Sequence, residues 1–94
     1  MINTKQRAQL RAMANGMECI LYVGKAGITE TVIKQADEAL AARELVKGAV
    51  QESCPVSARE ALQSLCESTG AQPVQQIGRR FVLYRPAEQP KLLV

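Results

Sequence analysis

The sequence predicts a compact mixed α/β (α+β) domain in the order α-β-α-β-α-β-β, built on a four-stranded mixed sheet. Three observations carry that expectation. Short apolar runs rich in strand formers alternate with longer stretches whose apolar residues recur at three- and four-residue spacing. Capping residues and glycine stops sit at the boundaries between them. Between the last two apolar runs, Gly78-Arg79 fits a two-residue hairpin turn that makes them antiparallel neighbours.

Each element follows in order. Thr4 is placed to cap a first helix running to about Ala14, with Leu10, Met13 and Ala14 on one face and Asn15-Gly16 as its stop. Glu18 to Val23 reads as a buried strand. Gly24-Lys25-Ala26-Gly27 ends it. Thr29 then caps a second helix, with Glu30 in the first turn, where the helix dipole favours a negative charge. Val32, Ile33, Ala36, Ala39 and Leu40 form its apolar stripe. Leu45 to Val50 is a second strand, in which Gly48 is an oddity because a glycine weakens strand packing. Pro55 breaks the chain, and Ser57-Ala58-Arg59-Glu60 has the form of a capping box. The third helix carries Ala58, Ala61, Leu62, Leu65 and Cys66 on one stripe and stops at Gly70. Pro73 to Ile77 and Phe81 to Arg85 are the last two strands, and Pro86 ends the domain. The expected division is a domain over 1–86 and a tail over 87–94.

Composition narrows the function. A chain of 94 residues with 47% hydrophobic residues suits one packed core and no deep cleft between domains. No apolar run reaches the roughly 18 residues of a membrane span. The first residues run into polar, helix-like sequence without an apolar signal segment, so a cytoplasmic protein with no membrane partner is expected. Cys19, Cys54 and Cys66 are odd in number and scattered, unlike a disulfide framework. There is no Cys-x-x-Cys pair and no histidine, so neither a metal site nor the usual general base is expected. The expectation is a protein without cofactor, small-molecule substrate or catalytic residues.

The net charge of +3 is unevenly distributed. Lys5, Arg7, Arg11 and Lys25 face only Glu18 in the first 25 residues, and Arg79, Arg80, Arg85 and Lys91 face only Glu88 in the last 26. The middle of the chain is acidic. A fold that joins the two ends would make a basic face, the footprint of a nucleic-acid binder, although an ordinary mixed surface fits the charge alone as well.

Gly24-x-x-Gly27 joins a strand to a helix start. Glycines there let a backbone approach a ligand, and the helix start offers amides favourable to phosphate. Lys25 adds a cation. Such a loop can grip single-stranded RNA, as in KH domains, and it can equally be a tight structural turn. It lacks the Walker pattern of a nucleotide-hydrolysing loop.

Several stretches together are more specific. They are Thr4-Lys5-Gln6-Arg7 with Leu10, Gly24 through Glu30, Glu44-Leu45-Val46-Lys47, Thr69-Gly70-Ala71, Val74 through Gly78, and Val82-Leu83-Tyr84-Arg85-Pro86. In this order, over about residues 3–86, they resemble the CRM domain (chloroplast RNA splicing and ribosome maturation) in its single-domain bacterial, YhbY-like form. Arg79-Arg80 is more basic than that family's pattern. The resemblance implies a fold similar to the C-terminal domain of translation initiation factor three. It also implies RNA binding through the Gly-x-x-Gly loop, and association with precursors of the large ribosomal subunit.

The expected RNA footprint is Gly24, Lys25, Ala26 and Gly27 with Lys5, Arg7, Arg11, Lys47, Arg79, Arg80 and Arg85. Tyr22, Phe81 and Tyr84, the only aromatics, fall in strands and read as core, with Tyr84 the one considered for base stacking. The expected partner is RNA, ribosomal RNA of the precursor large subunit, bound by a monomer. A protein–protein adaptor in translation, a general RNA chaperone or splicing-type binder, and an enzyme on RNA or a phosphate ester are the competing readings.

Overall fold

The structure, a computed structural model, describes residues 2–87; the expected tail lies outside the described residues from position 88 onward. Three helices, α1 (Thr4–Asn15), α2 (Glu30–Arg43) and α3 (Ala58–Thr69), alternate with four strands, β1 (Leu21–Val23), β2 (Leu45–Val50), β3 (Gln72–Ile77) and β4 (Arg80–Tyr84). The sheet order is β1-β2-β4-β3. β1 and β2 are parallel, while β4 runs antiparallel to both β2 and β3. The mixed α+β architecture is therefore the one the sequence predicts, with β2 at its expected bounds and boundaries of the other strands moved by one to three residues.

Two layers of helix enclose the sheet because successive side chains on a strand point to opposite faces. Leu21, Val23, Val46, Val50, Phe81 and Leu83 face α2 and α3 and form the main core with Ala36, Leu40, Ala61 and Leu65. Leu45, Val74, Val82 and Tyr84 face the other way and pack beneath Ile2, Leu10 and Ala14 of the α1 segment. Phe81 and Tyr84 are thus core residues, and Tyr84 is too buried to stack on a base.

Local chemistry explains most boundaries. Ser57 and Glu60 make the reciprocal capping box at α3, and Thr29 accepts from the amide of Val32 at 3.2 Å to cap α2. Gly70 closes α3 in a left-handed conformation. At α1 the cap differs from the expectation. Asn3, not Thr4, accepts from the amide of Gln6, and Gln6 reaches back to the amide of Asn3. The box needs its glutamine three residues past the cap, and only Asn3 has one there.

Gly48 is explained by its neighbours. It lies directly opposite Phe81 across β2 and β4, and the ring fills the space a side chain would occupy. A glycine shielded by a cross-strand aromatic supports strand packing here.

The buried thiol of Cys66 is pushed up from 9.0 to about 11, by burial first and by the Glu67 carboxylate second. Tyr84 is raised above 10.0 by burial and then by Glu44. Both groups are held in their neutral, protonated forms, so the unfolded chain releases these protons first as pH rises. The stability they contribute is present below pH 9 and is lost as pH climbs towards 11. Urea midpoints should therefore fall between pH 9 and 11, and Cys66→Ala should show a shallower decline than the wild type.

Candidate nucleic-acid interface

The parallel pair β1 and β2 ends where the antiparallel strand β4 begins, so three chain segments converge at one end of the sheet. Val23 is the register partner of Val50, and the amide of Gln51 donates to the carbonyl of Val23 at 2.8 Å. On the other side, the amide of Val50 donates to the carbonyl of Arg79 at 2.8 Å. The Gly24–Gly27 loop and the Gly78-Arg79 turn therefore flank the end of β2, roughly 10 Å apart at the usual strand spacing. Lys25, Arg79 and Arg80, read from distant parts of the sequence, are all exposed there.

The loop itself is a closed turn. The amide of Gly27 donates to the carbonyl of Gly24 at 2.9 Å, which leaves Lys25 and Ala26 exposed at the tip. Gly27 has φ +71, and a side chain there would meet Pro55 Cγ at 3.2 Å. Position 27 accordingly requires glycine, both for its backbone and for its approach to the loop before α3. α2 starts three residues later, so its N-terminal amides and the Lys25 ammonium lie on the same corner of the molecule.

The remaining expected contacts are dispersed. Lys47 sits two register pairs from Arg80 down the sheet. Its ammonium donates to the carbonyls of Ala14 at 3.1 Å and Met17 at 3.3 Å. α1 has no basic residue in its last turn, and Lys47 supplies the cation its C-terminus favours. Arg85 does the same for α3. Its guanidinium donates to the carbonyl of Thr69 at 2.8 Å, to the carboxylate of Asp37 at 2.6 Å and to the carbonyl of Asp37 at 3.1 Å. It joins the ends of β4 and α3 to α2, at the opposite end of the sheet from Lys25. Lys5, in the first turn of α1, is also at that far end, because Ile2 is tied to Gln72 at the start of β3. Arg11 is exposed on α1, and Arg7 is half-buried against β3 and α3.

An open groove of about 620 Å³ runs along the β3 edge, lined by Arg7, Arg59 and Glu67 among others. Cys66 lies in it, but its raised pKa keeps it a thiol at neutral pH. Among the described residues no three His, Cys, Asp or Glu side chains converge as a metal site, and no helix is long and apolar enough to cross a membrane.

The sequence reading missed Tyr22. Expected in the core, it is 54% exposed, because β1 is an edge strand covered by helices on one face only. The burial of β1 alternates, with Leu21 and Val23 inside and Tyr22 outside, a period-two pattern too short over three residues to distinguish from a continuous apolar run.

The profile of the CRS1/YhbY (CRM) domain matches residues 2–85. The chain belongs to the CRM domain family. This CRM domain is 37% identical over 91 residues to the Bacillus subtilis protein named "Probable RNA-binding protein YqeI", covering 97% of this chain and 95% of that one. It is 32% identical to a Haemophilus influenzae RNA-binding protein, covering 97% and 92%. Among solved structures it is similar to the solution structure of hypothetical protein SAV1595 from Staphylococcus aureus, described there as a candidate RNA-binding protein. The TM-score is 0.82 at 37% identity, over 97% of this chain and 95% of the other. The mixed α+β fold with three helices and a four-stranded sheet is thus that of an RNA-binding relative, and the relatives are RNA-binding proteins by name.

Proposed function

We propose that this CRM domain is a non-catalytic RNA-binding protein that associates with precursor large ribosomal subunits in the cytoplasm, as a monomer, and takes part in their assembly. The observation that carries the reading is the convergence of Lys25, Arg79 and Arg80 at the end of the sheet that also presents the Gly24–Gly27 loop. Three cations beside a tight glycine turn and a helix start suit the phosphates of a single strand, which position a protein on RNA without reading its sequence. The naming of the relatives as RNA-binding proteins supports the partner class. The high thiol pKa of Cys66 supports the absence of thiol chemistry in the open groove. Lys47 and Arg85 serve this function through the fold, by holding the ends of α1 and α3.

The test is the position of the endogenous protein in a sucrose gradient of cell lysate. The expected result is sedimentation with free or precursor large subunits at low salt, absence from translating ribosomes, and release to the top of the gradient as salt rises. A protein that stays at the top even at low salt would sink the ribosomal part of the proposal. Binding to the particles that survives nuclease digestion of RNA would make it an adaptor between proteins instead.

A further inference from the structure

The α1-side face of the sheet is only partly covered. α1 ends at Asn15, and Lys47 ties its last carbonyls over the middle of β2. Beyond that point lies one row of the sheet in which Tyr22, Arg80 and Ile77 are exposed and Ala49 is half-buried. The register places Tyr22 of β1 beside Ala49 of β2, Ala49 beside Arg80 of β4, and Arg80 beside Ile77 of β3. Register partners share a face, so these four side chains stand in a line across all four strands. Tyr22 is 54% exposed and Ile77 66% exposed, the two most exposed large apolar residues among those described.

Three further observations bear on what this row receives. The Tyr22 hydroxyl donates to the carbonyl of Cys19 at 3.2 Å, so the ring is held in place. Ala49 between the apolar ends is small, and beneath the Arg80–Ile77 end a groove of about 330 Å³ runs to the end of α1, lined by Lys47, Gln75 and Ala14 among others. Cations outnumber carboxylates around the row, where Glu52 in the turn after β2 and Glu18 beside Ile20 are the acids nearby. Arg80 lies in it, Lys25 and Arg79 stand at its rim, and the next row (Ile20, Lys47, Val82, Gln75) carries no carboxylate.

We propose that the row Tyr22–Ala49–Arg80–Ile77 is a base-docking platform for single-stranded RNA. Tyr22 stacks on one unpaired base, Ile77 packs against a second, and Arg80 between them contacts the connecting phosphate. This rests on the RNA-binding reading above and deepens it: phosphate contacts alone would hold any polyanion, whereas the platform requires unstacked bases. The row spans about three strand spacings, roughly 14 Å, room for two or three nucleotides. An aromatic ring accepts any base face, so the platform selects single strands over duplex with little sequence preference.

The test measures fluorescence anisotropy of a labelled, mixed-sequence RNA octamer and of the fully abasic octamer with the same sugar-phosphate backbone, each over a range of salt. The wild type should bind the base-bearing octamer more tightly. Tyr22→Ala should weaken that binding about 5- to 150-fold, leave its salt slope unchanged and leave abasic binding unchanged, while Tyr22→Phe, which keeps the ring and loses only its tether to Cys19, should weaken it far less. Equal wild-type affinity for the two octamers, with a normal salt slope, would overturn the platform and leave the phosphate-contact reading standing. This arm uses the wild-type protein and so does not depend on the folding of a variant. Absence of salt-dependent binding to either octamer would overturn both. Should Tyr22→Ala convert a dimer to a monomer in sedimentation equilibrium without changing RNA affinity, the occupant is a second copy of the chain and the proposal fails.

Discussion

Gly48→Ala should be among the most damaging single substitutions in this domain, at a position that touches no ligand. A β-carbon there would stand 2.7 Å from Phe81 Cζ and 2.8 Å from the carbonyl oxygen of Leu21. A side chain tip could swing aside. The Leu21 carbonyl cannot, because it belongs to the strand next to β2, and Phe81 is fully buried against the main core. Overpacking of this kind costs about 1–3 kcal/mol. For a domain of this size the melting temperature should fall by roughly 5–20 °C. Urea unfolding monitored by circular dichroism checks the result, with the midpoint lowered and the slope unchanged. Combining Gly48→Ala with Phe81→Leu should cost less than the two separately, because the smaller side chain removes one of the two clashes. A Gly48→Ala protein as stable as the wild type would mean that β1, β2 and β4 are not packed in the register described.

The largest effect on binding should come from removing Lys25, Arg79 and Arg80 together. Charge-assisted contacts to phosphate are worth about 1.5 kcal/mol or more each, so the triple alanine variant should lose at least roughly 1,000-fold in affinity for single-stranded RNA. The loss should be similar across sequences. Each lost phosphate contact on a single strand flattens the log–log salt slope by about 0.7, so the slope should fall by about 2. Lys5→Ala, at the far end of the sheet, should change the slope much less. Equal effects of Lys5→Ala and Lys25→Ala would place the RNA across α1 rather than at the loop. All four residues are exposed, so stability should change little, and a thermal melt separates a binding defect from an unfolding one.

The two kinds of prediction reflect how different parts of the molecule could be read from sequence. Ser57 with Glu60, Thr29 and Gly70 act within one helical turn, so their roles are written in neighbouring letters; α2 begins, and α3 begins and ends, as expected. Asn3 and Thr4 are both good caps, and the choice lies with Gln6, a local signal that was there to be used. Lys47 and Arg85 are different. Each neutralises the end of a helix distant in sequence, Lys47 that of α1 by reaching back 33 residues to Ala14, and no spacing rule reports such a partner. As letters they are basic residues among other basic residues. In the fold they are helix caps supplied from the sheet. Tyr22 was hidden by the reverse problem. Its neighbours are apolar, and only the sheet order shows that β1 is an edge strand with one face bare. The family resemblance pointed to the Gly24–Gly27 loop, while the meeting of that loop with Arg79 and Arg80 had to come from the register.

The sheet order has one more consequence, for how the molecule behaves in a crowded solution. An open sheet has two outer strands whose unpaired backbone groups can recruit a strand from another chain and start aggregation. Here β1 offers a template only three residues long. β3 is longer, but Pro73 removes one amide, the ladder is irregular between Pro73 and Gln75, and Arg7 and Arg59 stand beside it. Neither border lets a foreign strand lie flat against it. The domain can thus leave an apolar, basic row of its sheet open for a ligand without inviting its own copies to zip onto the sheet's margins.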